Sequence, residues 1–172
     1  TFSLKKIEPI IESGHVHFGE NKIQEAEEKW LDLKKRNKNI QLHMVGKLQS
    51  NKAKKAVMLF DYIHSLDSDK LARKLSQYVQ ELDKKIKLLI QVNLAKESQK
   101  AGVMPKDLEN FYNYCVKDLS LNIIGLMCLP PINSNSIEYF KMLRNESEKF
   151  KLKDLSMGMS SDYEDAILFG ST

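Results

Sequence analysis

The segment Ser156-Met-Gly-Met-Ser-Ser-Asp162 carries the strongest local chemistry in the chain. A strand end, a glycine, hydroxyl residues and a helix start follow one another there. Free backbone N–H groups and the positive end of a helix dipole favour an anion, and serine hydroxyls add donors. A phosphate group suits such a loop, although Ser161 also fits a plain helix N-cap. Histidine supplies a second set. His15 and His17 share one face of a short strand, and His43 and His64 lie on the next two strands. A metal-dependent hydrolase could use them. Only Glu20 and Asp67 offer carboxylates at nearby strand ends, so the histidines are read as structural or cofactor-stacking and no metal site is assigned. Cys128 has no basic partner in sequence to activate its thiol. Met127, Met157 and Met159 are read as core or pocket wall.

Those residues need a scaffold that brings strand ends together, and the apolar periodicity supplies one. Leu4, Ile7 and Ile10/Ile11 form a helical stripe that stops at Gly14. His15 to Glu20 reads as a strand, followed by a charged helix with Ile23, Ala26, Trp30 and Leu33 on one face. Ile40 to Gly46 is the next strand, then a helix from about Asn51 to Phe60. Tyr62 to Leu66 is strand, and Asp67 or Ser68 caps a helix striped by Leu71, Leu75, Tyr78/Val79 and Leu82. The second half repeats the arrangement. Ile86 to Asn93 precedes a helix led by Pro105, with Leu108, Phe111, Cys115 and Leu119 inward. Leu121 to Leu129 precedes a helix marked by Ile137, Phe140 and Leu143. Asp154 to Gly158 precedes a last helix opened by a Ser161-to-Glu164 capping box.

Six strand–helix units with apolar strands indicate a parallel sheet covered by helices. An open doubly wound sheet and a (β/α)8 barrel both satisfy that pattern. No G-x-G-x-x-G follows a strand and there is no P-loop, which favours the barrel. Gly19, Gly46 and Gly158 end strands and Gly125 lies within one. In a parallel α/β fold the strand C-termini are the ligand edge, where missing side chains admit close approach.

Composition narrows the partners. The chain has 172 residues, 42% of them hydrophobic, and a charge of +4 from 27 Lys+Arg against 23 Asp+Glu. That supports one ordinary core and disfavours collagen, coiled coil and disordered tails. The longest apolar stretch, around Leu121 to Ile132, carries Asn122 and ends in Pro130-Pro131, too short for a membrane span. Only Arg36, Arg73 and Arg144 interrupt a lysine-dominated cation set, and runs such as Lys34-Lys35-Arg36 read as solvated helix surface. Nucleic acid is not expected as a partner. Two cysteines are too few for a disulfide framework, so a reducing cytoplasmic setting is expected.

The motifs His17-Phe-Gly-Glu-Asn21 with Gln24-Glu25, His43-Met-Val-Gly-Lys-Leu-Gln-Ser-Asn-Lys52, His64-Ser-Leu-Asp67, Ile90-Gln-Val-Asn93, Gly125-Leu-Met-Cys-Leu-Pro130 and Leu155-Ser-Met-Gly-Met-Ser-Ser-Asp162 occur in order. Together they closely resemble the pyridoxal phosphate homeostasis proteins, across essentially the whole chain. The resemblance implies a single (β/α)8 barrel of the alanine racemase N-terminal type that holds pyridoxal 5′-phosphate (PLP) by a Schiff base. It further implies a carrier or regulator of PLP supply and amino-acid balance, without catalytic turnover, with PLP-dependent enzymes as acceptors; a monomer is the default expectation for the oligomeric state. Carried over by residue, Asn21 borders the cofactor, Ser156, Gly158 and Ser160 shape the phosphate site, and His43 lines the barrel interior near it. No catalytic residue is assigned.

Two departures accompany the resemblance. The family's Schiff-base lysine would fall immediately before Thr1, and Lys5, Lys6 and Lys22 lie on helices that point them elsewhere. The family also continues beyond a Gly-Ser-Thr like Gly170-Ser171-Thr172 into a strand with an arginine and a Gly-Thr. Against the roughly 250 residues of a typical barrel, residues 1–172 are therefore expected to be one PLP-binding barrel domain incomplete at both ends, lacking the first and last strands. A PLP-dependent amino-acid racemase is the alternative and would need a second acid/base on the opposite cofactor face. A metal-dependent barrel hydrolase ranks third.

Overall fold

Alternation of apolar strands with amphipathic helices builds one parallel sheet in the computed structural model, which describes residues 2–97, 99–132 and 134–172. The strands are β1 (His17–Glu20), β2 (Gln41–Met44), β3 (Tyr62–Leu66), β4 (Lys87–Gln91), β5 (Ile123–Met127) and β6 (Asp154–Ser156). The helices are α1 (Leu4–Glu12), α2 (Ile23–Arg36), α3 (Ala53–Leu59), α4 (Asp69–Glu81), α5 (Leu108–Asn113), α6 (Ser136–Lys149) and α7 (Tyr163–Leu168). Each strand expected from the periodicity is present, trimmed by a residue or more at most ends.

The strands lie side by side in chain order, β1-β2-β3-β4-β5-β6, and every neighbouring pair is parallel. A doubly wound sheet reverses direction at a switch point; this sheet does not. Its order is that of a barrel wall. Curvature confirms the sense. In a flat sheet β3 and β6 would stand about 14 Å apart, three strand spacings, yet His64 on β3 hydrogen-bonds Ser156 on β6 at 2.8 Å. The six strands therefore form a half-barrel of the alanine racemase N-terminal type. Register shifts between Ile63 and Leu66 and between Leu88 and Leu89 accompany the bend.

Side-chain alternation sorts the two faces. Leu42, Ile63, Leu88, Ile90, Leu126 and Leu155 are buried in the core with the inward stripes of the helices, among them Trp30, Leu71, Leu75, Leu108 and Phe140. The alternating positions His17, His43, Tyr62, His64 and Ser156 line the concave side. Among the described residues Glu20 is the charged one that is buried. It is 4% exposed and accepts from Trp30 Nε1 at 2.7 Å and Lys29 Nζ at 2.6 Å, pinning β1 to α2.

Two local readings change in the structure. The helix led by Pro105 is a 3-10 turn (Pro105–Asp107), then α5, then a π-helical turn (Tyr114–Asp118). The wider last turn lets the Leu121 N–H reach the Cys115 carbonyl at 2.9 Å and the Ser76 hydroxyl reach the Leu119 carbonyl at 2.8 Å. Ser68 occupies the N-cap of α4 with extended backbone, but its side chain makes no capping bond. Among the described residues, no helix is long and apolar enough to cross a membrane.

Candidate functional site

The strand C-termini gather the loops in which sequence placed the ligand. At the β1 end, Asn21 is exposed and lines a hollow of about 350 Å³ with Lys22, Gln24, Lys47 and Lys52. Gly46, just past β2, packs directly over it. A Cβ at Gly46 would run into the Asn21 carbonyl and come within 2.7 Å of the Asn21 Cα. The glycine is required because two backbones meet there. Behind that contact the Ser65 hydroxyl donates to the Gly46 carbonyl at 2.7 Å and the Val45 N–H donates to the Glu20 carbonyl at 2.9 Å.

The β6 end turns at Gly158, whose φ of +94° suits glycine and whose missing side chain lets Ala166 of α7 close in. Ser160 is exposed beside it. Among the described residues, none accepts a hydrogen bond from the N–H groups of Gly158, Ser160 or Ser161. Three free N–H groups and a hydroxyl therefore surround this turn. The capping box read at Ser161 does not form. Asp162 is the N-cap of α7, and its Oδ1 accepts from the Met159 N–H at 2.6 Å. A carboxylate already sits against one N–H of the loop, which is what an anion-seeking turn does with a neighbouring acid.

On the concave face the histidines do not converge on a point. His17 Nδ1 lies 2.9 Å from His43 Nε2, His43 Nδ1 lies 2.9 Å from His64 Nε2, and His64 Nδ1 lies 2.8 Å from the Ser156 hydroxyl. Five of their six ring nitrogens are engaged in a line that ends on Ser156, and His17 Nε2 alone lies outside it. Among the described residues no group of three or more His, Cys, Asp or Glu could hold a metal ion. His15 stands apart, edge-on to Phe18 at 5.2 Å. Tyr62 stacks flat on His43 with ring centroids 4.0 Å apart, and Lys87 Nζ donates to the Tyr62 hydroxyl at 2.8 Å. Burial pushes the His64 imidazole down to about 4. Burial, then the neighbouring His64 and His17, push His43 down to about 4 as well. Both rings are neutral at physiological pH.

The five residues assigned from sequence thus divide. Asn21, Gly158 and Ser160 occupy loops at the strand C-termini. His43 and Ser156 belong to the concave line, where Ser156 bonds His64. Sequence reasoning found the histidines but not their mutual bonding, and it missed Tyr62 as their stacking partner. Alternation along β1 to β3 places His17, His43, Tyr62 and His64 on one face; only the sheet's curvature brings Ser156 within reach. Cys115 and Cys128 are buried, and burial raises each thiol to about 12, away from nucleophilic use.

Residues 3–169 match the family described as "Alanine racemase, N-terminal domain". The pyridoxal phosphate homeostasis protein of Aquifex aeolicus (strain VF5) is 34% identical over 164 residues, covering 90% of this chain and 71% of its own. PipY of Synechococcus elongatus PCC7942, solved with PLP bound, is 36% identical with a TM-score of 0.88, over 98% of this chain and 82% of its own. Solved without PLP it is 38% identical with a TM-score of 0.90, over 96% and 81%. An alanine racemase from Clostridium difficile 630 shares the fold alone, at 11% identity and a TM-score of 0.62 over 88% of this chain and 41% of its own.

Proposed function

Because the chain belongs to the alanine racemase N-terminal domain family, and within it to the pyridoxal phosphate homeostasis proteins, we propose that it binds pyridoxal 5′-phosphate and serves PLP homeostasis without turning over an amino acid. The observation that carries this reading is the likeness to PipY over nearly the whole chain, PipY being a protein whose structure holds PLP. The turn at Gly158 fits the phosphate: three N–H groups without an internal acceptor and the Ser160 hydroxyl can bind its oxygens. Asn21 borders the ring from the β1 end, and His43 and Ser156 form the wall behind it. When bound, the cofactor supplies an aldehyde that condenses with amines. The chain's own residues hold the phosphate, orient the ring and leave its outer face to solvent.

The finer architecture belongs to the same proposal. Sequential parallel order and strong curvature are those of a (β/α)8 barrel with six of its strands in residues 1–172 as one domain. PLP-dependent enzymes are the proposed acceptors, the cytoplasm the proposed setting and a monomer the proposed state. The racemase reading has no support of its own, since only the fold is shared with the racemase.

Equilibrium dialysis against PLP and against pyridoxal tests the reading. Retention of PLP that weakens on Ser160→Ala, with pyridoxal held less tightly and unaffected by the substitution, is the expected result. No retention of PLP, or repeated racemisation of alanine or serine in its presence, would overturn it.

A further inference from the structure

The line from His17 to Ser156 constrains protons as well as positions. A neutral imidazole carries one N–H and one lone pair, so each ring in the line donates on one side and accepts on the other. If His17 donates from Nδ1 to His43, then His43 must donate from Nδ1 to His64, and His64 from Nδ1 to Ser156. If Ser156 donates instead, all three rings carry their proton on Nε2. Mixed arrangements set two donors or two lone pairs face to face.

We infer that His17, His43, His64 and Ser156 form one tautomer-coupled proton relay across the concave face, with the state of the Ser156 hydroxyl set at His17. This goes beyond PLP binding and does not rest on it. The rings differ in access: His17 is exposed, whereas His43 and His64 are half-buried. A proton from solvent enters at His17 Nε2. The His17 Nδ1 proton passes to His43 Nε2, the His43 Nδ1 proton to His64 Nε2, and the His64 Nδ1 proton to Ser156. Ser156 gives its own hydroxyl proton to an anionic or carbonyl oxygen in the hollow of about 300 Å³ that it faces. One proton enters, one leaves, and every ring ends as its other tautomer. Short of transfer, a protonated His17 must donate from Nδ1. That forces Ser156 to accept from His64 and turn its hydrogen outward as a donor to the hollow.

The surroundings favour neutral inner rings. Tyr62 from β3 stacks on His43, Lys87 from β4 holds the Tyr62 hydroxyl, and Asp154 from β6 lines the same hollow. Asp61, which attracts a proton toward His43, is already engaged by Lys34 Nζ at 2.6 Å and the Leu42 N–H at 2.7 Å. His43 and His64, each held down to about 4, therefore stay neutral at physiological pH.

Long-range proton–nitrogen NMR on nitrogen-15-labelled protein without added ligand reads the tautomers directly. The expected result is the same protonated ring nitrogen at His17, His43 and His64 at high pH, and Nδ1–H at both His43 and His64 once His17 has gained its proton. His15, packed on Phe18, is the internal control. His43→Phe keeps a ring on Tyr62 but removes both nitrogens, and should free the His64 tautomer from the state of His17. Opposite tautomers at His43 and His64 while both are neutral would overturn the relay. So would Nε2–H persisting there after His17 is protonated. The wild-type spectra decide the matter even if the variant fails to fold.

Discussion

Acidification should destabilise this protein through two half-buried histidines. His43 and His64 each sit near 4 in the folded chain against an ordinary 6.5. Between those values the unfolded chain binds protons that the folded one refuses, so stability is retained above about pH 6.5 and lost as the pH falls toward 4. For His64 the difference of about 2.5 units corresponds to roughly 3 kcal/mol. His43 is more open to solvent, which screens part of its penalty and leaves about 1–2 kcal/mol. Together about 4–5 kcal/mol is a large share of the 5–15 kcal/mol typical of a domain. Trp30, the single tryptophan, is fully buried and reports unfolding by fluorescence. Urea titrations from pH 7.5 to 4.5 should show a plateau and then a steep fall. In a His43→Gln/His64→Gln variant the fall should be much shallower, because carboxylate titration is common to both proteins. An equal slope in wild type and variant would refute the reasoning.

Three further outcomes follow from particular contacts. Glu20→Ala strands Lys29 and the Trp30 N–H in a buried site and should cost about 3–5 kcal/mol in urea unfolding. Glu20→Gln, which still accepts from Trp30, should cost less. Gly158→Ala brings a Cβ to 2.6 Å from the Ala166 Cβ at a positive φ and should weaken PLP retention at least tenfold in dialysis while residual pyridoxal binding persists. Neither thiol should react with a disulfide reagent in the native protein, since Cys115 and Cys128 are buried with raised pKa values; both should react in denaturant.

The sequence by itself determined every strand, the parallel class and the family. Those are local or ordered properties: stripes at helical spacing such as Leu71 and Leu75, apolar runs such as Ile86 to Asn93, and six motifs in a fixed order. It also placed the glycine turn at Gly158, because strand, glycine and hydroxyl residues are contiguous there. It misassigned the cap of α7, since Ser161 and Asp162 are both good caps by type and the helix begins one residue later than the capping box requires, at Tyr163 after Asp162. It could not anticipate the π-helical turn at Tyr114–Asp118, which serves a bond from the β5 side to the Cys115 carbonyl. The sequence favoured a barrel wall over a doubly wound sheet and the strand order bore that out, but the meeting of His64 with Ser156 came only with the curvature. These two residues are 92 positions apart in the chain. Their contact depends on how far the sheet bends between β3 and β6, a property that belongs to no single strand.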